Sequence, residues 1–450
     1  MVQRLIIVSN RLPVSVQDER GKLSLSRSSG GLATALSSLF NEDSSVWVGW
    51  TGMRRHLNQS EISSLNIPPF ICPVNLTEAE ITAYYDTFAN GILWPLAHGI
   101  TPTAAHSTST KKDIHKVMRL FADAIESIIT PEDVVWIHDY HLFLLPHELR
   151  RRGIRNKIGF FLHTPFFPEA TLQKVPLIDE IMASLMDVNV IGLQVQQDVQ
   201  RFRAALKARD TTLPSHTKVH AFPIGIDFES FDEQNTAPDV QGHVRDIKRR
   251  FDGYKIVFSL SRLDYTKGII TQLEAFERFL SQHPGYKIIY RLNVAPSREA
   301  VLEYEELKKD ITKKVTAINL RFATKTWQPV VYTYENIGLH EICAWYQVAD
   351  VHLNIPIADG MNLVAKEYIA ARRQPGSLII SNTMGAATQL KASLIIPPNN
   401  SQAAADAIEQ ALSMSEDEKT QRWTILRHEV KEHQASEWAQ NFLSSFDKSV

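Results

Sequence analysis

The chain has 450 residues, 48 Lys+Arg against 50 Asp+Glu, a formal net charge of −2, and 44% hydrophobic residues. That length predicts more than one domain, each with its own core, and the balanced charge excludes a nucleic-acid binder with a broad basic face. Cys72 and Cys343 have no CxxC spacing, no apolar run approaches a membrane span, and Met1 to Val8 turns polar too early for a signal peptide, so a cytoplasmic protein with no membrane partner is expected.

Short apolar runs alternate with amphipathic stretches. Strands are predicted at Leu5–Ser9, Val46–Trp50, Val134–His138, Ile158–His163, Val190–Leu193 and Lys218–Phe222, with helices at Gly31–Phe40, Asp113–Ile129, Leu142–Arg152 and Gln196–Leu206. The polar stretch Asp227 to Gly253 reads as a crossing between two halves. The alternation restarts with strands at Lys255–Leu260, Lys287–Asn293, Val330–Tyr332, Val351–Ile355 and Leu378–Ser381. Helices are predicted at Ile269–Gln282, Glu299–Val315, Gly338–Val348, Met361–Arg372 and Ser413–Phe446. Such alternation predicts an α/β fold with parallel sheets covered on both faces. Two Rossmann-like domains are expected, at 1–228 and 229–430, and the final helix, 431–450, is free to cross back onto the first.

Ligands bind at strand ends in open parallel sheets, and several predicted strands end on polar residues. Ser9-Asn10-Arg11 is followed by Ser29-Gly30-Gly31-Leu32, which suits an anionic ligand. His138-Asp139-Tyr140-His141 follows a fully apolar run. Its two imidazoles lack a further ligand at metal-site spacing, so no metal is expected there. His163 ends another apolar strand. Arg262 and Lys267 frame a turn into a helix and could clamp a diphosphate. Arg298 follows Ala295-Pro296-Ser297. Asp359-Gly360-Met361-Asn362-Leu363 opens a helix, whose free N–H groups and dipole favour phosphate. Glu367 falls on the buried side of that helix and needs donors, which ribose hydroxyls would supply. Tyr85 and Trp94 offer ring faces to a sugar.

Taken together and in this order, the motifs resemble the trehalose-6-phosphate synthase family, the OtsA-like retaining glycosyltransferases. They include Ser9-Asn10-Arg11-Leu12-Pro13, Trp136-Ile137-His138-Asp139-Tyr140-His141-Leu142, Gly159-Phe160-Phe161-Leu162-His163, Pro223-Ile224-Gly225-Ile226, Arg262-Leu263-Asp264-Tyr265-Thr266-Lys267-Gly268 and Asp359 to Glu367. The resemblance implies the GT-B arrangement, with two Rossmann-like domains facing each other across a cleft. The first would be the acceptor side and the second the donor side. It implies transfer of glucose from a nucleotide sugar, usually UDP-glucose, to glucose 6-phosphate, with no metal and no cofactor. By position, Arg262 and Lys267 would hold the donor diphosphate with the helix start Gly360 to Leu363, and Glu367 the ribose. Asp359 and His163 would hold the transferred glucose, with Gly31 over the phosphates. Arg11, Tyr85 and Arg298 would bind the acceptor phosphate, and Trp94 and Asp139 the acceptor sugar.

The chain departs from the family pattern at Ala358, at Leu292, across Thr110–Ala122 and at Pro397-Pro398-Asn399-Asn400. Donor base, acceptor and subunit number stay open at this point, a homo-oligomer included. Glycerol 3-phosphate is an alternative acceptor, and a non-catalytic sugar-phosphate sensor an alternative role. No phosphatase-like domain is expected, the sequence running to Val450.

Overall fold

The computed structural model describes residues 4–19, 22–27, 36, 44–102, 111–297 and 302–447. The chain divides into two compact units, Met1–Pro223 with Ala435–Val450, and Ile224–Gln434. The fold class is α/β, built on two parallel sheets.

The first unit contains β1 (Leu5–Arg11), β2 (Val14–Glu19), β3 (Lys22–Arg27), β4 (Ser45–Trp50), β5 (Ile71–Val74), β6 (Val134–His138), β7 (Lys157–Phe161), β8 (Val190–Leu193) and β9 (Lys218–Ala221). Seven of these form one sheet in the order β5-β4-β1-β6-β7-β8-β9, while β2 and β3 pair as an antiparallel hairpin. Every residue of β6 is buried, as expected of a parallel strand covered on both faces. The helix Lys111–Glu126 covers the sheet with a stripe of Ile114, Val117, Met118, Phe121, Ala122 and Ile125, spaced three and four apart.

The second unit contains β10 (Lys255–Arg262), β11 (Ile288–Ala295), β12 (Val330–Tyr334), β13 (Val351–Asn354), β14 (Ser377–Ser381) and β15 (Leu394–Ile396). Their order is β12-β11-β10-β13-β14-β15. In each sheet the chain winds outward in one direction, then returns and winds the other way. The reversal lies between β1 and β6 in the first sheet and between β10 and β13 in the second. At such a switch point the connections leave in opposite directions and open a crevice at the strand ends.

The stretch 227–253 is not a polar crossing but largely helical. Phe228–Glu233 and Pro238–Arg250 are helices, and the second buries Val240, Val244 and Ile247 from an otherwise charged surface. Pro238 sits in its first turn, where a missing N–H costs nothing. The final helical stretch is two helices, Glu416–Glu432 in the second unit and Ala435–Ser444 in the first, and the break between them falls where the chain passes between units. Trp438 and Phe442 of the last helix pack on Trp136 with ring centroids at 5.1 and 4.6 Å. Of the expected helix Gly31–Phe40, all but Leu36 lies outside the described residues.

Candidate active site

In the second unit, β10 ends on the exposed Arg262 and the chain turns at once. Buried Asp264 shapes the turn by accepting from Thr266 N (3.0 Å) and Thr266 Oγ1 (2.9 Å). Gly268 then adopts φ 66°, and a Cβ there would come within 2.3 Å of Ile355 O. Only glycine tolerates both that conformation and that approach. The turn after β10 is thereby pressed against the end of β13. The result is an ion pair between the two strand ends, with Lys267 Nζ 2.6 Å from Asp359 Oδ2 and side chains only 13% and 15% exposed.

The segment after β13 is held from two sides. Gly385 N donates to Asp359 O (3.1 Å) and Ala386 N to Met361 O (3.0 Å). Asn354 and Asn362 exchange side-chain hydrogen bonds at 2.7 and 3.1 Å, and Asn362 Nδ2 also donates to Asp359 Oδ2 at 3.1 Å. The helix runs Leu363–Ala370, starting after Met361 rather than at it, and its N-cap is Asn362 in a left-handed conformation (φ 72°), not Asp359. Asp359 is therefore spared from capping and carries its charge toward Lys267.

Glu367 lies one turn into this helix. Tyr346 Oη donates to its carboxylate at 3.2 Å, yet loss of solvent dominates and pushes the carboxyl up to about 7. Lys366, beside it in sequence, is buried and donates to Ile224 O and Gln389 Oε1, both at 2.7 Å. Arg427 donates to the carbonyls of Ile369, Ala370 and Arg372 at the far end of the helix, where a cation complements the dipole.

In the first unit, the candidates at the β1 and β6 ends are joined by a chain of rings. Arg11 and Trp50 are register partners in the β1–β4 pair, which sets the Arg11 guanidinium over the Trp50 ring at 4.7 Å. Trp50 meets Tyr85 edge-on at 5.5 Å, and Tyr85 stacks on His141 at 5.7 Å and 15°. Tyr140, next to His141, meets Trp94 at 5.8 Å. Tyr85 sits in a π-helix, Ile81–Leu93, whose i→i+5 bonding is marked by Trp94 N donating to Ala89 O. Asn90 ties the assembly together, receiving Tyr140 Oη at 2.8 Å and donating to Tyr85 O at 2.9 Å.

Asp139 follows β6 with φ 75° and ψ 163°, a region essentially reserved for glycine. It is held there by Asp139 N donating to Phe161 O (2.7 Å) and His163 N donating to Asp139 Oδ1 (3.2 Å). Its Oδ2 lies 3.9 Å from His141 Nδ1. His163 follows β7 and its ring bonds His138 at 3.1 Å.

The second unit thus gathers Arg262, Lys267, Asp359, Gly360, Met361, Asn362 and Leu363 at one switch point, with Glu367 a turn further along. The first gathers Arg11, Tyr85, Trp94, Asp139 and His163. Gly31 and Arg298 lie outside the described residues. Trp50, Asn90 and Tyr346 join these groups beyond the residues expected from sequence. Trp50 was detectable as an aromatic ending a strand, whereas Asn90 and Tyr346 matter only through contacts across the fold. Among the described residues, no three His, Cys, Asp or Glu side chains are grouped to hold a metal ion, and no helix is long and apolar enough to cross a membrane.

The family model of glycosyltransferase family 20 matches residues 3–448. A bifunctional trehalose-6-phosphate synthase/phosphatase from Thermoproteus tenax is 36% identical over 98% of this chain, and the chain spans 63% of that relative's length. A UDP-forming alpha,alpha-trehalose-phosphate synthase from Yarrowia lipolytica is 34% identical over 99% of both chains. A crystal structure of the UDP-forming synthase from Burkholderia xenovorans, in complex with glucose-6-phosphate, superposes with a TM-score of 0.88 at 29% identity, covering 99% of this chain and 100% of that one. A structure from E. coli bound with UDP-2-fluoro glucose gives 0.86 at 29% identity, with 99% of each chain covered. The two parallel sheets and these matches identify the fold as GT-B. The chain belongs to glycosyltransferase family 20.

Proposed function

We propose that this chain transfers glucose, with retention, from UDP-glucose to glucose 6-phosphate, giving α,α-trehalose 6-phosphate and UDP. The observation that carries this reading is the Lys267–Asp359 pair at the β10/β13 switch point. A diphosphate arriving there takes the ammonium and leaves the carboxylate to accept from a sugar hydroxyl. The names of the relatives support the reading, as do the glucose-6-phosphate and UDP-2-fluoro glucose held by two of the similar structures.

In this proposal the second unit is the donor side. Arg262 and Lys267 grip the diphosphate by charge-assisted hydrogen bonds and stabilise it as it leaves. The helix start from Gly360 through Met361 and Asn362 to Leu363 adds N–H groups, Glu367 takes the ribose hydroxyls, and Gly31 covers the phosphates. Asp359 and His163 hold the glucose being transferred. The first unit is the acceptor side, where Arg11 and Tyr85 meet the acceptor phosphate, with Arg298, and Trp94 and Asp139 meet the sugar. The acceptor hydroxyl oxygen bonds to the anomeric carbon on the face from which UDP departs, the carbon–phosphate oxygen bond breaks, and the departing phosphate takes the hydroxyl proton. Cys72 and Cys343 are free thiols, which supports work in a reducing cytoplasm.

The test is UDP release on incubation with UDP-glucose and glucose 6-phosphate, run beside GDP- and ADP-glucose and beside glycerol 3-phosphate. Release that requires both UDP-glucose and glucose 6-phosphate supports the proposal. No release from any nucleotide-glucose overturns it, and release only with glycerol 3-phosphate overturns the acceptor.

A further inference from the structure

His138 ends β6 and is fully buried, whereas His163, after the neighbouring β7, is half-buried. Their rings lie with centroids 5.3 Å apart and 28° between planes, and His138 Nδ1 is 3.1 Å from His163 Nε2. Burial holds both imidazoles below their ordinary range, so both are neutral. Between two neutral rings one N–H makes the bond, and its direction sets the character of the remaining nitrogen on each.

The surroundings of His138 decide the direction. Its Nε2 is buried with no hydrogen-bond partner, and so are Trp136 Nε1 and Trp438 Nε1. The Trp136 ring lies 4.5 Å from the His138 ring and the Trp438 ring 6.4 Å from it. An indole nitrogen only donates. A proton on His138 Nε2 would crowd a third unmet donor into this region, with no acceptor among the three. A proton on Nδ1 instead leaves Nε2 as an unmet acceptor. Buried donors are the costlier groups to orphan. With the proton on His138 Nδ1, His163 Nε2 becomes the acceptor and its own proton moves to Nδ1. That nitrogen has no partner among the described residues.

We propose that His138 is a positioning residue that fixes His163 as the Nδ1–H tautomer, so that His163 meets the donor sugar as a hydrogen-bond donor to a hydroxyl oxygen. This rests on the reading of His163 as a sugar-binding residue. Trp438 makes the last helix a remote part of the same device.

The experiment is long-range 15N–1H correlation on the full chain labelled with 15N-histidine, with steady-state kinetics of His138→Phe, His138→Asn and His163→Ala. The expected wild-type result is a protonated Nδ1 and a bare Nε2 on His163. His138→Phe should release His163 into a mixture of tautomers and lower kcat/KM for UDP-glucose about tenfold, the order of one hydrogen bond. His138→Asn, whose amide can donate near the former Nδ1, should restore most of it. A protonated Nε2 on wild-type His163 overturns the proposal, as does a His138→Phe enzyme equal to wild type where His163→Ala is impaired. An unimpaired His163→Ala overturns the sugar-binding reading instead, and the wild-type spectrum still decides the direction of the bond.

Discussion

Lys267 Nζ lies 2.6 Å from Asp359 Oδ2, so the cation proposed for the diphosphate and the carboxylate proposed for the sugar already hold each other. Each holds the other aimed, in a site largely shut from water. Lys267→Ala should lower kcat by about 10²–10³, the cost of removing one charge-stabilising group from a leaving-group site. Asp359→Asn should also impair turnover, and the double variant should lose far less than the sum, because the two act on one event. Steady-state kinetics of the three variants tests this; additive losses would show the pair to be incidental.

Asp139 carries its Cβ in a backbone conformation that suits glycine. Asp139→Gly and Asp139→Ala both remove the carboxylate, so both should lose activity, but only glycine relaxes the backbone. The glycine variant should be more stable than the alanine variant by about 1–3 kcal/mol. Urea unfolding of the two reads this directly, and equal stabilities would mean that the turn holds no strain.

The Glu367 carboxyl, pushed up to about 7 by loss of solvent, gives a pH signature. Ribose hydroxyls donating to it favour the charged form, so nucleotide binding should expel a proton and tighten as pH rises through about 7. The opposite sign holds for folding. The folded state binds more protons than the unfolded one between the ordinary 4.5 and about 7, so this group costs stability as pH climbs through that window. Lys366 is also pushed, downward, to about 7 by burial, which makes Glu367→Gln the needed control. Calorimetry of UDP binding in buffers of different ionisation enthalpy should show proton release in the wild type and none from this source in Glu367→Gln.

Gly192 leaves room for the last helix. A Cβ there would sit 2.5 Å from Phe161 Cδ2 and 2.8 Å from Phe442 Cε2. Gly192→Ala should destabilise the protein by about 1–3 kcal/mol through overpacking. Thermal unfolding checks it, and an unchanged midpoint would mean that Phe442 moves aside without cost.

The sheets were legible because their central strands are buried on both faces, and runs such as Val134–Ile137 are apolar without interruption. The switch-point residues were legible because polar side chains end those runs. Other elements were hidden for physical reasons. The β2–β3 hairpin was overlooked although Val14, Val16, Leu23 and Leu25 alternate with polar neighbours. β5 carries Pro73 inside a four-residue run and β15 has three residues, so neither stands out from loops. The π-helix differs from an α-helix only in which carbonyl each N–H reaches, which no apolar spacing reveals. The helix Pro238–Arg250 was masked by its charge, although Val240, Val244 and Ile247 repeat at helical intervals. The ring chain from Arg11 to Trp94 and the His138–His163 bond join distant positions, so they needed the fold before they could be seen.

The last helix completes a unit that began at the other end of the chain. During vectorial synthesis Trp136 and the hollow over Gly159 and Gly192 emerge long before Phe442 and Trp438 exist to fill them. The first unit must therefore wait, with apolar surface uncovered, while all of Ile224–Gln434 is translated. Its closing contacts form only once Ala435–Ser444 has been made, so the interval in which Ile224–Gln434 is translated is the one in which this unit is most exposed to chaperones and to aggregation.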